Sequence, residues 1–209
     1  MSPTPIKPHF ALSALTWVLG IIFVALAVFA IADEINAVLI HTKTLTSLSL
    51  GQAALMLKVF YGMLLSYAGT MVLMPVWSGL VASAAARQGV KLPKYWSWLG
   101  YLVPLVCYWQ PARTLWPLAD TRQGKASIVR CLIVAWAIAR NLASISGFYA
   151  FYLFLGAAHV TGLAHGTYLA HYILITVTAA CSLSAIIVVG TYRYLLTQSA
   201  AERHAEVFI

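Results

Sequence analysis

Four long apolar segments alternate with shorter polar stretches along the chain, and each predicts a helix that crosses a membrane. Each segment is longer than the roughly 20 apolar residues that a helix needs to span the hydrocarbon core of a bilayer. In lipid every backbone amide must find its partner inside the protein, so an apolar span is read as a helix. The predicted spans cover residues 10–32, 53–86, 128–156 and 168–196.

The second apolar segment differs from the other three. It is too long for one straight crossing, and it contains Lys58 and Pro75. A proline inside a helix removes one backbone hydrogen bond, so a kink is expected near Pro75. Beyond it, Gly79 and Ser83 stand four residues apart on one helix face. Small residues at that spacing let a second helix approach closely, so both are predicted packing residues.

Between the second and third spans lies an aromatic insert, residues 95–118, which we expect not to cross the membrane. Trp and Tyr favour the headgroup level of a bilayer, and prolines break any long helix. The sequence therefore predicts broken helical pieces that lie in the interface or enter the bilayer and return on the same side. Its aromatic residues and prolines are Tyr95, Trp96, Trp98, Tyr101, Pro104, Tyr108, Trp109, Pro111, Trp116 and Pro117.

The distribution of basic residues supports this layout. Most of the 13 lysines and arginines flank the insert or lie at the two chain ends, and they share one side if the insert does not cross. Because the loops that stay in the cytoplasm are enriched in Lys and Arg, both termini are predicted to be cytoplasmic. The expected location is a bacterial inner membrane. If the insert crossed, basic residues would lie on both faces and the bias would vanish.

Composition agrees with a single membrane domain over residues 1–209. The chain is 62% hydrophobic and 9% charged, whereas soluble domains carry about 25% charged residues. The net charge of +8 is explained by the basic residues that flank spans, and no soluble basic domain is present to bind nucleic acid. Cys107, Cys131 and Cys181 form no CxxC pair and are read as small buried hydrophobes.

The insert also resembles a known family. Trp77 and Gly89 stand at the spacing of a cytoplasmic helix that follows a Trp and ends in Gly. The segment Gly100–Pro104 reads small, aromatic, apolar, apolar, Pro, with Pro111 seven residues on. This pattern resembles an uncharacterised bacterial family of four-helix transmembrane domains. The likeness extends over residues 77–203, and Cys107 stands where the family has Asn. The resemblance implies an all-helical membrane fold with four spans, and it implies no chemistry.

Arg140 is the most unusual residue, because it lies inside the third apolar segment with Asn141 beside it. A charge at mid-membrane costs roughly 2.5–3.5 kcal/mol on insertion scales unless it faces a partner or water. One reading is an anion, headgroup or counter-ion site. The other is an arginine held by backbone carbonyls of the insert, or one that reaches the interface. The carbonyls near Pro104 and the carboxylate of Asp120 are the expected partners within the chain.

These observations predict a patch for a ligand or partner and no catalytic centre. The sequence has no HExxH, GxSxG or Gly-rich phosphate loop, and the spacing of the histidines suits neither haem nor a metal. No cofactor is expected, and the expected partners are the bilayer, anionic lipids, a second copy or another membrane protein. The patch consists of Trp98, Tyr101, Pro104, Trp109, Pro111, Arg113, Arg140 and Asn141.

Three functions remain open on this evidence. The first is a non-enzymatic membrane protein that works by self-association or by docking to a membrane partner. The second is a small transporter or channel-like protein that uses Arg140, Asn141 and the broken insert, since discontinuous helices are typical of transporters. The third is a membrane immunity protein that protects against a toxin, for which the sequence offers no residue-level evidence.

Overall fold

The computed structural model describes residues 10–41, 50–93, 95–103, 105–120, 126–156 and 163–207. Within these ranges the protein is all-helical, and no strand is present. A short 3-10 turn, Val106–Tyr108, separates α3 from α4. The helices are α1 (Phe10–His41), α2 (Leu50–Arg87), α3 (Trp96–Leu102), α4 (Gln110–Asp120), α5 (Ala126–Gly156) and α6 (Leu163–Val207).

Four of these helices are long and apolar enough to cross a membrane, as the sequence predicted. The apolar spans within them are 10–32, 65–87, 127–146 and 172–197. The second span is shorter than the predicted 53–86, and its apolar window begins after Lys58. α2 is nevertheless one continuous helix that includes Pro75.

Two helices extend well beyond the predicted spans. α1 continues through Asp33 and Glu34 to His41, although the predicted span ends before these acids. α6 begins at Leu163, before the predicted span 168–196, and it continues past Thr197 to Val207. The physical reason is that hydropathy identifies only the part of a helix that crosses the bilayer. The helix itself continues for as long as its residues favour helical structure. The polar end of α6 is rich in Ala and Glu, which are strong helix formers.

The four spans form an open arc, and the short helices close it. α1 packs against α2 and α6, and α6 packs against α5. α2 and α5 share no extensive contact in the described residues. Between them α3 packs on α2, α4 packs on α5, and the two short helices pack on each other. We call Trp96–Asp120 the hairpin.

Two buried tryptophans join neighbouring spans through the same arrangement. The Trp77 indole N–H donates to Thr16 Oγ1 at 3.0 Å, which joins α2 to α1. The Trp136 indole N–H donates to Ser184 Oγ at 2.7 Å, which joins α5 to α6. Each hydroxyl donates in turn to a carbonyl four residues earlier on its own helix. Polar groups in the apolar core are thereby satisfied, as burial requires.

The end of α2 determines where the hairpin begins. Gly89 adopts a left-handed φ of +76°, which costs glycine little. The Val90 amide donates to the Ala85 carbonyl and the Gly89 amide to that of Ala86. This pair of bonds is a Schellman motif, which satisfies carbonyls at the end of a helix. The chain then turns back towards the bundle.

The hairpin runs back along both flanking spans. Trp98 lies beside Gly79, and Leu102 shares a groove with Met71 of α2, so α3 is antiparallel to α2. The carbonyl of Tyr108 meets Asn141, and Trp116 meets Arg130, so α4 is antiparallel to α5. Because α2 and α5 themselves run in opposite directions, α3 and α4 are antiparallel to each other. The turn between them, residues 103–109, is the tip of the hairpin.

The closest approach of α3 to α4 yields a prediction. A Cβ added at Gly100 would lie 2.6 Å from Gln110 Cγ and 3.0 Å from its Cβ. Gly100→Ala is therefore expected to destabilise the protein by about 1–3 kcal/mol through overpacking, measured as a lower unfolding midpoint in mild detergent. Gly20→Ala is the control, because its Cβ would meet Val189 at an ordinary 3.9 Å.

The same experiment has a built-in rescue. Adding Gln110→Ala to Gly100→Ala removes Gln110 Cγ, the closest atom, and leaves only its Cβ. The two changes should therefore be non-additive, as expected for residues in contact. A Gly100→Ala protein as stable as Gly20→Ala would show that α3 and α4 do not pack in this way.

Candidate functional site: a polar cluster at the hairpin tip

The structure places Arg140 against the backbone of the hairpin tip. Its Nη1 donates to the Cys107 carbonyl at 3.0 Å. This carbonyl is three residues beyond Pro104, in the region where the sequence predicted a carbonyl partner. The side chain of Asp120, the other expected partner, lies outside the described residues. A charge-assisted hydrogen bond to a carbonyl is stronger than a neutral one, and it supports the structural reading of Arg140.

Two aromatic rings flank the same guanidinium. Arg140 Cζ lies 5.1 Å from the centroid of the Tyr101 ring and 5.9 Å from that of the Trp136 ring. Both distances are within the range of a cation–π interaction, which contributes about 0.5–2 kcal/mol depending on desolvation. Tyr101 belongs to α3, whereas Trp136 precedes Arg140 by one helical turn on α5. Arg140 therefore joins α5 to both the tip and α3.

Asn141 and the tip backbone complete this set of contacts. The Asn141 Nδ2 donates to the Tyr108 carbonyl at 2.9 Å. Leu105 has a positive φ of 66°, a sparsely populated conformation that costs a non-glycine residue about 1–3 kcal/mol. Contacts from Arg140 and Asn141 to two successive carbonyls offset this strain. We call Arg140 and Asn141, with the carbonyls they bind, the tip contacts.

The tip contacts lie deep in the bundle. Arg140 is 14 residues after the start of α5 at Ala126, which corresponds to about 21 Å along a helix. Tyr67 of α2 and Cys181 of α6 lie close enough to interact electrostatically within this cluster. The Tyr101 hydroxyl is buried beside Ser78, and in the described part of the chain no well-oriented hydrogen bond reaches it. A bound water is the ordinary partner of such a group.

The other predicted patch residues are distributed over three surfaces. Trp98 borders Gly79 of α2, Pro111 is fully buried, Trp109 is exposed at the tip, and Arg113 is exposed on the outer face of α4. Pro104 lies outside the described residues. The structure thus brings together Arg140, Asn141 and Tyr101, and it separates them from Trp98, Trp109 and Arg113.

A groove runs between α2 and the hairpin. It has a volume of about 470 Å³. The predicted packing residues Gly79 and Ser83 both line it, and a Cβ at Gly79 would lie 4.0 Å from Trp98. The small-residue face of α2 therefore borders α3 of the same chain as well as the open groove. The remaining lining residues are Met71, Val72, Pro75, Val76, Leu80 and Leu102.

Sequence reasoning missed three participants in the site. Trp136 could have been found, because it stands four residues before Arg140 and shares its helix face. Thr16 and Ser184 gave no signal, because each meets its tryptophan only through the packing of different helices.

Comparison with known proteins identifies no relative of this chain. No family model, no curated protein and no solved structure matches the chain. The resemblance of the insert to a four-helix membrane family therefore stays a prediction, and the function must be argued from the site itself.

Proposed function

We propose that the protein is a non-enzymatic membrane protein that works by self-association, with a second copy docking an apolar helix in the groove between α2 and the hairpin. The observation that carries this proposal is the groove itself. It opens on the outside of the bundle, where Val72, Val76 and Leu102 are exposed. In lipid, a concave surface beside small residues lets a second helix approach closely, which is typical of a helix-docking site.

The lining of the groove limits what it can hold. None of its described lining residues is charged, so a charged partner segment would gain nothing there. In lipid, helices associate by close van der Waals packing where small residues let backbones approach. Gly79 and Ser83 supply such a place, and the Ser83 hydroxyl is already satisfied by the Gly79 carbonyl at 3.0 Å. An apolar span from a second copy of this chain would meet both requirements, the lack of charge and the close packing.

Arg140 contributes to docking through the hairpin. Trp98 and Leu102 form one wall of the groove, and both belong to the α3 segment whose neighbouring Tyr101 lies under the Arg140 guanidinium. The tip contacts hold this wall at a fixed distance from α2. In this proposal Arg140 and Asn141 are positioning residues for the groove, and a partner does not touch them directly.

The placement in the membrane is part of the proposal. The hairpin enters the bilayer from the end where α2 finishes and α5 begins, and it returns to that end. The first and last described residues, Phe10 and Val207, lie at that same end of the bundle, because α1 and α6 run antiparallel to the helices they pack against. The concentration of basic residues there supports a cytoplasmic position for this end, with the bundle in the inner membrane of a bacterial cell.

Cysteine cross-linking in membranes tests self-association. In a variant whose native cysteines are replaced, Val76→Cys is expected to form disulfide-linked dimers on mild oxidation. Val18→Cys is the matched control, because Val18 is 45% exposed and Val76 is 52% exposed. The Thr16–Trp77 bond also places the two at similar depth. The docked helix in this proposal is α2 of the second copy, so that the two grooves face each other across a two-fold axis. The groove position should therefore cross-link at least about fivefold more, because a residue near such an axis meets its counterpart in the other copy.

Two outcomes would contradict the proposal. Equal cross-linking at Val76→Cys and Val18→Cys would indicate random collision in the membrane. Absence of dimers at both Val72→Cys and Val76→Cys, in protein that elutes as a folded species, would show that no second copy occupies the groove.

The transporter alternative gains less support from the same geometry. The space between α2 and α5 that a path would need is occupied by the hairpin. Arg140, which would line such a path, is engaged with the tip and with two aromatic rings.

A further inference from the structure

The outer face of α4 carries an arginine and a tryptophan in one stripe, and a second tryptophan lies just before the helix. Arg113 and Trp116 stand three residues apart on α4, which places them on the same side of the helix, and Trp109 directly precedes α4 at the tip. All three are exposed. The opposite side of α4, including Leu115 and Leu118, is buried against the bundle. This stripe is separate from the groove between α2 and α3, so its role is independent of the docking proposed above.

A second arginine reaches this stripe from α5. Arg130 Cζ lies 5.6 Å from the centroid of the Trp116 ring, within the range of a cation–π interaction. Arg113 stands one turn before Trp116 on α4, and side chains at that spacing are neighbours. Trp116 thus contacts the Arg130 guanidinium of α5 and has Arg113 one turn away on its own helix. Arg130 presents five N–H donors, so it can bind a further group while keeping its existing contacts.

The location of this pair matches a membrane surface. Arg130 is four residues after the start of α5 at Ala126, about 6 Å along the helix. Arg113 lies about one turn deeper, from where a long side chain can reach the interface. Tryptophans at this level are typical of the zone between headgroups and acyl chains.

We propose that Arg113 and Arg130, arranged around Trp116, bind the phosphate of an anionic phospholipid headgroup. Guanidinium groups recognise phosphate oxygens through paired N–H donors in a fixed plane. The indole of Trp116 supports the Arg130 guanidinium, and it provides an apolar surface for the upper part of an acyl chain. Basic residues next to a membrane already gain about 1 kcal/mol each from anionic lipids, and the fixed pair adds specificity for one lipid molecule.

Native mass spectrometry of the full-length protein tests this site. The protein is released from mild detergent containing equal amounts of phosphatidylglycerol and phosphatidylcholine, and retained lipids are counted. The wild-type protein is expected to retain phosphatidylglycerol selectively. Arg113→Gln with Arg130→Gln should reduce that retention at least about tenfold, from the loss of two charged contacts. Lys91→Gln with Arg193→Gln removes the same charge from two other exposed positions and should change it less than about twofold.

Conservative variants keep the proposal testable if the double variant does not fold. Arg130→Lys preserves the charge but not the planar donors, and Trp116→Leu removes the supporting ring while both arginines remain. Each should weaken phosphatidylglycerol retention about threefold or more, because a lysine replaces bidentate contacts with a point charge.

Three results would overturn the proposal. Equal losses in the two double variants would mean that lipids are attracted by diffuse charge alone. Unchanged retention in Arg130→Lys and in Trp116→Leu would mean that the stacked arginine is not the site. Displacement of the lipid by millimolar glycerol phosphate would assign the site to a soluble phosphate compound.

Discussion

Arg140→Leu is expected to release the hairpin tip from α5. The substitution leaves the Cys107 carbonyl without its donor, and it removes the cation from between the Tyr101 and Trp136 rings. The lost hydrogen bond costs about 1–3 kcal/mol, and the ring contacts add about 0.5–2 kcal/mol. A loss of about 2 kcal/mol opens the tip about 30-fold more often. Maleimide labelling of Cys107, which is half-buried, measures this opening.

Controls for this experiment are present in the same chain. Cys131 is exposed, so its labelling rate is an internal reference that should not change. Arg193→Leu removes another basic residue, exposed on α6, and should leave the Cys107 rate as it is. Arg140→Lys should give an intermediate rate, since a lysine can still donate to the carbonyl but lacks the planar group. A Cys107 rate in Arg140→Leu equal to that in Arg193→Leu would mean that Arg140 does not hold the tip.

Trp77→Ala is expected to have the larger effect on the stability of the whole bundle. Trp77 is 0% exposed, and its indole N–H is the donor that joins α2 to Thr16 of α1. Truncating a buried tryptophan to alanine costs about 3–5 kcal/mol in soluble proteins through lost packing and the cavity left behind. Removing the hydrogen bond adds to this cost. The unfolding midpoint of the protein in mild detergent should fall accordingly.

Two further substitutions divide the effect into its parts. Trp77→Phe keeps most of the buried volume and loses the N–H, so it should cost a minor part of the total. Trp17→Ala removes an equally large ring that is 61% exposed on α1, and a surface change of this kind should remain within about 0.5 kcal/mol. If Trp17→Ala destabilised the protein as much as Trp77→Ala, the tryptophan at the α1–α2 interface would have no special role.

The four spans could be predicted because crossing a bilayer is a local property. A run of about 20 apolar residues has one stable conformation in lipid, whatever the rest of the chain does. The ends of α1 and α6 were not predicted, because two acids follow Ala32 and a polar segment follows Thr197, yet both helices continue. Hydropathy indicates whether lipid or water surrounds a helix. It does not indicate where the backbone hydrogen bonds of that helix end.

The candidate site was predicted in part. Arg140 was found because a charge in an apolar run is costly, and a carbonyl near Pro104 was an expected partner. Which carbonyl this is depends on the turn of the tip at Leu105, where φ is positive. A leucine in the sequence does not indicate a turn of this kind. The two tryptophan bonds could not be predicted, since their partners lie 61 and 48 residues away. Pairing over such distances follows from which helices become neighbours.

The sequence by itself determined that this protein is helical, that it has four segments able to cross a membrane, and that one arginine inside them needs a partner. These properties follow from the free energy of transferring each segment into lipid, which is summed residue by residue. The tertiary structure alone decided that α2 and α5 stand apart, that the hairpin fills the space between them, and that Arg140 meets its tip. Those features depend on side-chain shape at the contacts between helices, and such packing is a property of pairs of segments.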